Sequence, residues 1–297
     1  SITQNTYVAQ PHSLREAVGT VRAAGSAWLD LAVLALVFGL IFFYEIGDVT
    51  LVNPDEGRYA EIPREMVATD DYVTPRLNGV LYFEKPPLVY WVEAGFQRVF
   101  GPSEMAVRAV PALFALAGVL MAYGAARQLH GRPAGLGASI VLGSSLLYFA
   151  LGRILLLDMT VSVLMSGVLF CFILAVREPV GARRRWLLYG LYACAALATL
   201  AKGLIGFLVP GAVMFFWLLI FNQWSRLRPL YLPTGVALFL AIAAPWHILA
   251  AQRNPVWAHF YFVREHWERF TTTEHGRFEP WWYFAPIVAV GLFPWTG

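Results

Sequence analysis

Asn53-Pro54-Asp55-Glu56-Gly57-Arg58-Tyr59-Ala60-Glu61-Ile62-Pro63-Arg64-Glu65-Met66, continued at Tyr82-Phe83-Glu84-Lys85-Pro86-Pro87, is a charged island in an apolar chain. Asp55, Glu56, Arg58, Glu61, Arg64, Glu65, Asp70, Asp71, Arg76, Glu84 and Lys85 stand together there, although only 14% of the chain is charged and 58% is hydrophobic. Working outward, the flanking segments are long apolar runs, and mean hydropathy is +0.57. That pattern reads as an all-α membrane protein of polytopic transmembrane helices. Candidate spans are 27–46, 106–128, 134–151, 155–176, 186–201, 204–221, 230–251 and 281–297, the fifth of them short. Pro111, Pro210 and Pro245 fall inside spans, where neighbouring helices can satisfy the freed carbonyls.

No small-residue cleavage site follows the first span, so 27–46 is expected to be a retained helix. Cys171 and Cys194 both lie in spans and read as small buried apolar residues. The net charge of +3 is spread over separate loops, which argues against a nucleic-acid partner. The loops at 127–132, 177–185 and 226–228 are basic and nearly free of acid, which marks them as cytoplasmic. Segments 48–105, 152–157, 202–203 and 252–280 then face outward and carry almost every carboxylate, with the N-terminus inside.

The outer segments predict interfacial juxtamembrane helices near 54–69, 86–100 and 257–270. Asn53 as cap, Pro54 at the first helical position and Glu56 three residues after the cap form a helix-start signal. Pro63 should kink or shorten that helix. In the second helix, Glu93, Gln97 and Arg98 make a polar side.

Several residues in these segments have the chemistry of a site. Glu56 is explained by the capping position and the helix dipole. Asp55 faces a loop rich in cations, with Arg58 and Tyr59 following on the same helical face, an arrangement able to hold a phosphate or sugar against a carboxylate. Lys85, fixed in extended backbone by Pro86, is either a phosphate-binding point charge or an interfacial lysine snorkelling to lipid headgroups. Asp158, framed by apolar residues at a span end, is a functional candidate by its cost alone, with Arg153 as its expected partner or a second phosphate ligand. Lys202 either binds an anionic group or ends its helix before Gly203. His266 with Glu84 or Glu265 is a weak metal pair, since two ligands distant in sequence do not make a coordination motif.

The stretch Asn53–Met66, the segment Tyr-Val-Thr-Pro-Arg-Leu-Asn-Gly at 72–79, Tyr82–Pro87, and Arg-Ile-Leu-Leu-Leu-Asp-Met-Thr at 153–160 together resemble the bacterial aminoarabinose transferases. These are relatives of the protein O-mannosyltransferases and have the membrane glycosyltransferase fold called GT-C. The resemblance implies that 1–297 is a transmembrane catalytic region, followed in the family by further spans and a periplasmic domain. It implies transfer of 4-amino-4-deoxy-L-arabinose from undecaprenyl phosphate to a lipid A phosphate at the periplasmic face of the bacterial inner membrane. Asp55 would lie at the catalytic centre with Asp158 nearby, and Lys85 near the carrier phosphate. Arg58, Tyr59, Tyr82, Glu84, Lys202 and Arg269 would line the substrate cavity. A divalent metal such as zinc, on Glu84 and His266, is the candidate cofactor. Membrane lipids complete the expected partners.

Two other readings compete. Another polyprenyl-phosphate-sugar transferase, such as a protein O-mannosyltransferase, would use nearly the same residues. A lipid-linked sugar transporter or flippase would place ionisable groups near the bilayer midplane and repeat itself between halves. The charges here gather at one interface instead.

Overall fold

The computed structural model describes residues 12–268 and 279–296, with side chains from Ala27 onward. Helix α1 (His12–Phe43) leads through a loop into α2 (Asp55–Thr69). A two-stranded antiparallel hairpin follows, β1 (Arg76–Leu77) pairing with β2 (Val80–Leu81), and then α3 (Leu88–Phe100). The bundle continues with α4 (Glu104–His130), α5 (Arg132–Ser144), α6 (Leu146–Arg153), α7 (Leu157–Ala175), α8 (Ala182–Lys202) and α9 (Ile205–Phe221). After α10 (Leu232–Arg253) come a π-helical stretch at His259–Glu268 and a short α11 (Phe284–Gly291).

Among the described residues, α4, α7 and α10 are long and apolar enough to cross a bilayer, and α5 with α6 adds a fourth crossing if that bent pair is one span. Ala27–Phe43 and Ile205–Phe221 are shorter apolar helices. Helix α8 has an apolar centre between Arg183-Arg184-Arg185 and Lys202. Two expected spans differ from the sequence reading. Segment 134–151 is broken, its halves bent by 64°. The Ser144 and Ser145 hydroxyls turn back to the carbonyls of Ile140 and Val141, at 2.5 and 2.6 Å, and Ser145 leaves helical geometry. The Leu146 amide freed by the break donates to the Phe293 carbonyl at 3.0 Å. Segment 281–297 holds a helix of only eight residues, which passes into turns ahead of Pro294.

Helix α4 is the axle, packing against α1, α3, α5, α6 and α7, while α7 and α8 form the most extensive pair. Phe38, Phe42, Ala112, Ala115 and Met159 fill the α1–α4–α7 seam. Val89, Val110, Leu157, Val161 and Ala198 close the seam where α3 meets α4, α7 and α8. The three basic loops meet at one end of the bundle. There Asp30 pairs with Arg127 at 3.0 Å and Arg132 at 2.7 Å, and accepts from the Tyr123 hydroxyl at 2.6 Å. Arg184 caps the carbonyls of Glu178, Arg226 and Arg228. The segments read as outer meet at the opposite end, which carries α2 and α3.

Candidate functional site

Helix α2 runs through Pro63 without interruption, and that proline is buried. Its start is built differently from the cap the sequence suggests. Asn53 gives no side-chain cap, and Glu56 turns inward until it is 1% exposed. One Glu56 oxygen accepts from Val52 N–H at 2.7 Å and the other from Leu155 N–H at 2.8 Å, with Arg108 bound to both at 2.9 and 2.7 Å. Arg108 also donates to the carbonyls of Ile46, Val49 and Thr50. Glu56 is therefore structural, but as half of a buried ion pair and not as a surface cap. It joins the entry of α2, where Asp55 sits, to the entry of α7, where Asp158 sits.

Asp55, by contrast, keeps 56% of its side chain exposed and lies 3.8 Å from Arg58. Arg58 reaches the Tyr82 hydroxyl, which in turn donates to Glu84 at 3.1 Å. The Tyr59 ring stacks on Tyr90 with centroids 6.3 Å apart. Burial, then the Asp55 charge, push the Tyr59 hydroxyl up to about 12; Arg58 opposes, while Asp158 and Glu84 add to the push. Those same charges thus surround one tyrosine. Burial likewise raises Tyr82, with Glu84 adding to it.

Asp158 lies in the first turn of α7 and binds Lys202, the last residue of α8. Arg153 takes no part in that pair: its guanidinium donates to the Ile41 carbonyl at 2.9 Å and lies over the Phe149 ring. Lys202 ends its helix as expected, with Gly203 at φ of 93° just beyond it. The structure therefore brings Asp55, Arg58, Tyr59, Tyr82, Glu84, Asp158 and Lys202 to one end of the bundle.

Lys85 lies beside this group, next to Glu84. Its ammonium donates to the Glu84 carbonyl at 2.9 Å and sits 3.4 Å from Glu265 on the π-helical stretch. Phe83, Trp246, Trp257 and Tyr261 pack into one cluster that mounts that stretch against α10. Trp246 ties the cluster to the Val73 carbonyl, and Arg253 reaches Asp71 at 3.2 Å. Arg269 and the side chain of His266 lie outside the described residues. Among the described residues no three His, Cys, Asp or Glu side chains come together as a metal site.

Helix α3 departs from the expected polar side. Glu93 is fully buried and Gln97 is 5% exposed, donating to the Ala60 carbonyl at 3.1 Å, so this face packs inward on α2. Neither Glu93 oxygen has a hydrogen-bond partner, and burial raises this acid well above the usual carboxylate range. Sequence reasoning missed Arg108 and the pairing of Glu265 with Lys85. The first carried a signal: an arginine followed by a long apolar run within one helix. The second had none, since its partner is distant in sequence.

With this geometry in hand, comparisons with known proteins become informative. Residues 84–249 match the family model described as dolichyl-phosphate-mannose-protein mannosyltransferase. The undecaprenyl phosphate-alpha-4-amino-4-deoxy-L-arabinose arabinosyl transferase of Yersinia enterocolitica is 34% identical over 272 residues, covering 90% of this chain and 48% of the relative. The protein of that name from Edwardsiella ictaluri is 33% identical, covering 92% and 49%. The crystal structure of ArnT from Cupriavidus metallidurans bound to undecaprenyl phosphate superposes with a TM-score of 0.85 at 36% identity, over 91% of this chain and 49% of that one. A Saccharomyces cerevisiae protein O-mannosyltransferase complex, at 16% identity and a TM-score of 0.58 over 78% of this chain and 34% of that one, shares the fold. The chain spans about half the length of the curated relatives it matches.

Proposed function

Since this chain belongs to the dolichyl-phosphate-mannose-protein mannosyltransferase family, we propose that it is the catalytic membrane region of a glycosyltransferase using a polyprenyl-phosphate sugar. The sugar is 4-amino-4-deoxy-L-arabinose, the donor carrier undecaprenyl phosphate and the acceptor a phosphate of lipid A. The site faces the periplasm from the bacterial inner membrane, opposite the arginine-rich loops. The observation that carries this reading is the meeting of Asp55, Glu84 and Asp158 with Arg58 and Lys202 around Tyr59, beside Lys85. Relatives named as aminoarabinose transferases over nine-tenths of the chain supply the sugar and the carrier.

Transfer from a lipid phosphate breaks the anomeric C–O bond through an oxocarbenium-like state and releases an anion. Lys85 and Arg58, with Lys202, stabilise the charge that develops on the leaving phosphate. An acceptor phosphate, with a second pKa near ~6, is already largely ionised at neutral pH. Asp55 therefore orients the acceptor or the sugar amine more than it removes a proton. Direct displacement inverts the anomeric centre. Glu84 is engaged by Tyr82 at 3.1 Å, while the side chain of its expected metal partner His266 lies outside the described residues.

The test places the full protein in nanodiscs with the aminoarabinose donor and lipid A, and follows the added aminopentose by mass spectrometry. Addition that disappears in Asp55→Ala supports the reading. Turnover only with a polyprenyl-phosphate hexose would move the protein to a mannosyltransferase-like activity, and silence with every donor would revive a transport role.

A further inference from the structure

Helix α8 begins with charge of the sign that a helix N-terminus disfavours. It opens Ala182-Arg183-Arg184-Arg185, with no acidic residue in the first turn and no side-chain cap, so cations crowd the positive end of the helix dipole. The first amides of a helix also lack intrahelical acceptors. Arg184 stitches this start to the loop before α10. It is 7% exposed and donates to the carbonyls of Glu178, Arg226 and Arg228. Carbonyls satisfy its N–H groups without supplying a counter-charge, and its buried Nε has no hydrogen-bond partner. Glu178 is taken by Arg183 at 3.2 Å. Arg177, Arg185 and Arg228 are exposed, and among the described residues their side chains make no hydrogen bond or ion pair.

We propose that this corner, where the entries of α8 and α10 meet, binds the phosphate headgroup of an anionic phospholipid from the leaflet it faces. Binding here depends on the membrane fold alone, whatever sugar the enzyme carries. A phosphodiester accepts from guanidinium forks and takes the place of the missing acid at the helix start. Loop arginines that merely orient a chain in the bilayer need only be exposed. Orientation calls neither for a cationic helix start nor for an arginine buried without a counter-ion, which is costly.

The surroundings fit a lipid better than a soluble anion. Trp186 meets the Tyr189 ring edge-on with centroids 5.9 Å apart, and Tyr189 lies 6.3 Å from the Tyr231 ring. Trp and Tyr favour the depth where headgroup gives way to acyl chain. Arg185 stands one turn before Tyr189 on the same face of α8. The Tyr189 hydroxyl donates to Thr234 at 3.0 Å, tying the rings to α10. From Thr234 that face of α10 continues through Ala237 and Ala241, both exposed, so no bulky side chain obstructs an acyl chain descending from the headgroup.

The experiment uses the full protein, stripped of lipid in detergent and titrated with phosphatidylglycerol, phosphatidylcholine or inorganic phosphate under native mass spectrometry. Wild type should retain phosphatidylglycerol under activation that removes phosphatidylcholine. Affinity for phosphatidylglycerol should fall about fivefold for each arginine removed in Arg185→Gln and Arg185→Gln/Arg228→Gln. Arg98→Gln, at the opposite end of the bundle, should leave it unchanged. Photoreactive phosphatidylglycerol should crosslink to wild type at the first two turns of α8 or the start of α10, a result that needs no variant to fold. Equal retention of the two lipids, full competition by inorganic phosphate, equal loss in Arg98→Gln, or crosslinks only elsewhere would each overturn the site.

Discussion

The two ends of the bundle use their charges in opposite ways. At the arginine-rich end Asp30 is 5% exposed between two arginines, and Arg184 is 7% exposed among backbone carbonyls. At the α2–α3 end Asp55 and Asp158 keep 56% and 47% of their side chains exposed, and Arg58 and Lys202 keep 31% and 25%. Asp30 and Arg184 are engaged by the fold itself. At the second end the charges are gathered around a tyrosine wall and still open to a ligand. Where a charge sits says less about function than whether the protein has already neutralised it. Glu56 and Asp55, neighbours in sequence, fall on opposite sides of that line.

The largest way to break this contrast is to strike a neutralised charge. Arg108→Ala strands Glu56 in the interior and should cost about 3–5 kcal/mol of stability, read as a fall in thermal midpoint in detergent. Asp55→Ala should do the reverse: transfer drops by about 10²-fold, the cost of a misplaced reactant, while the melting curve hardly moves. Finding both losses together in Asp55→Ala would erase the distinction. Next, Lys202→Ala removes a half-exposed pair worth about 0.2–1 kcal/mol to folding. Its melting shift should be several times smaller than that of Arg108→Ala, although its donor KM rises.

The smallest effect is spectroscopic. Tyr59 releases its proton near 12 in the fold against an ordinary 10, so its stabilising contribution is whole below pH 10 and fades as the pH climbs towards 12. Absorbance at the phenolate band should therefore be the same for wild type and Tyr59→Phe up to about pH 11, with the difference emerging only above it.

The charged loop that holds the candidate site is legible in the sequence because charge is so rare elsewhere in this chain. Asp55, Arg58, Tyr59 and Lys85 announce themselves by type and spacing. What stayed hidden are pairings across the fold. Asp158 was matched to Arg153, five residues away, when its partner is Lys202, because helix ends that meet in space leave no mark in local sequence. Glu56 was read as a cap because its spacing from Asn53 satisfies the local rule, and only the approach of Arg108 reveals the stronger claim on it. The break at Ser144-Ser145 was missed for another reason. Hydropathy is blind to hydroxyls that return to the backbone, and the carbonyl receiving the Leu146 amide belongs to Phe293.

The Glu56–Arg108 pair also bears on how the protein is made. Glu56 leaves the ribosome 52 residues ahead of Arg108 and 99 ahead of Leu155. At roughly 5–20 residues per second of synthesis, it waits several seconds for its counterion and longer for its last donor. Until then the carboxylate must stay in water, so α2 docks only after α4 has entered the bilayer. The segment bearing the first candidate catalytic residue is among the earliest to emerge and among the last to be seated.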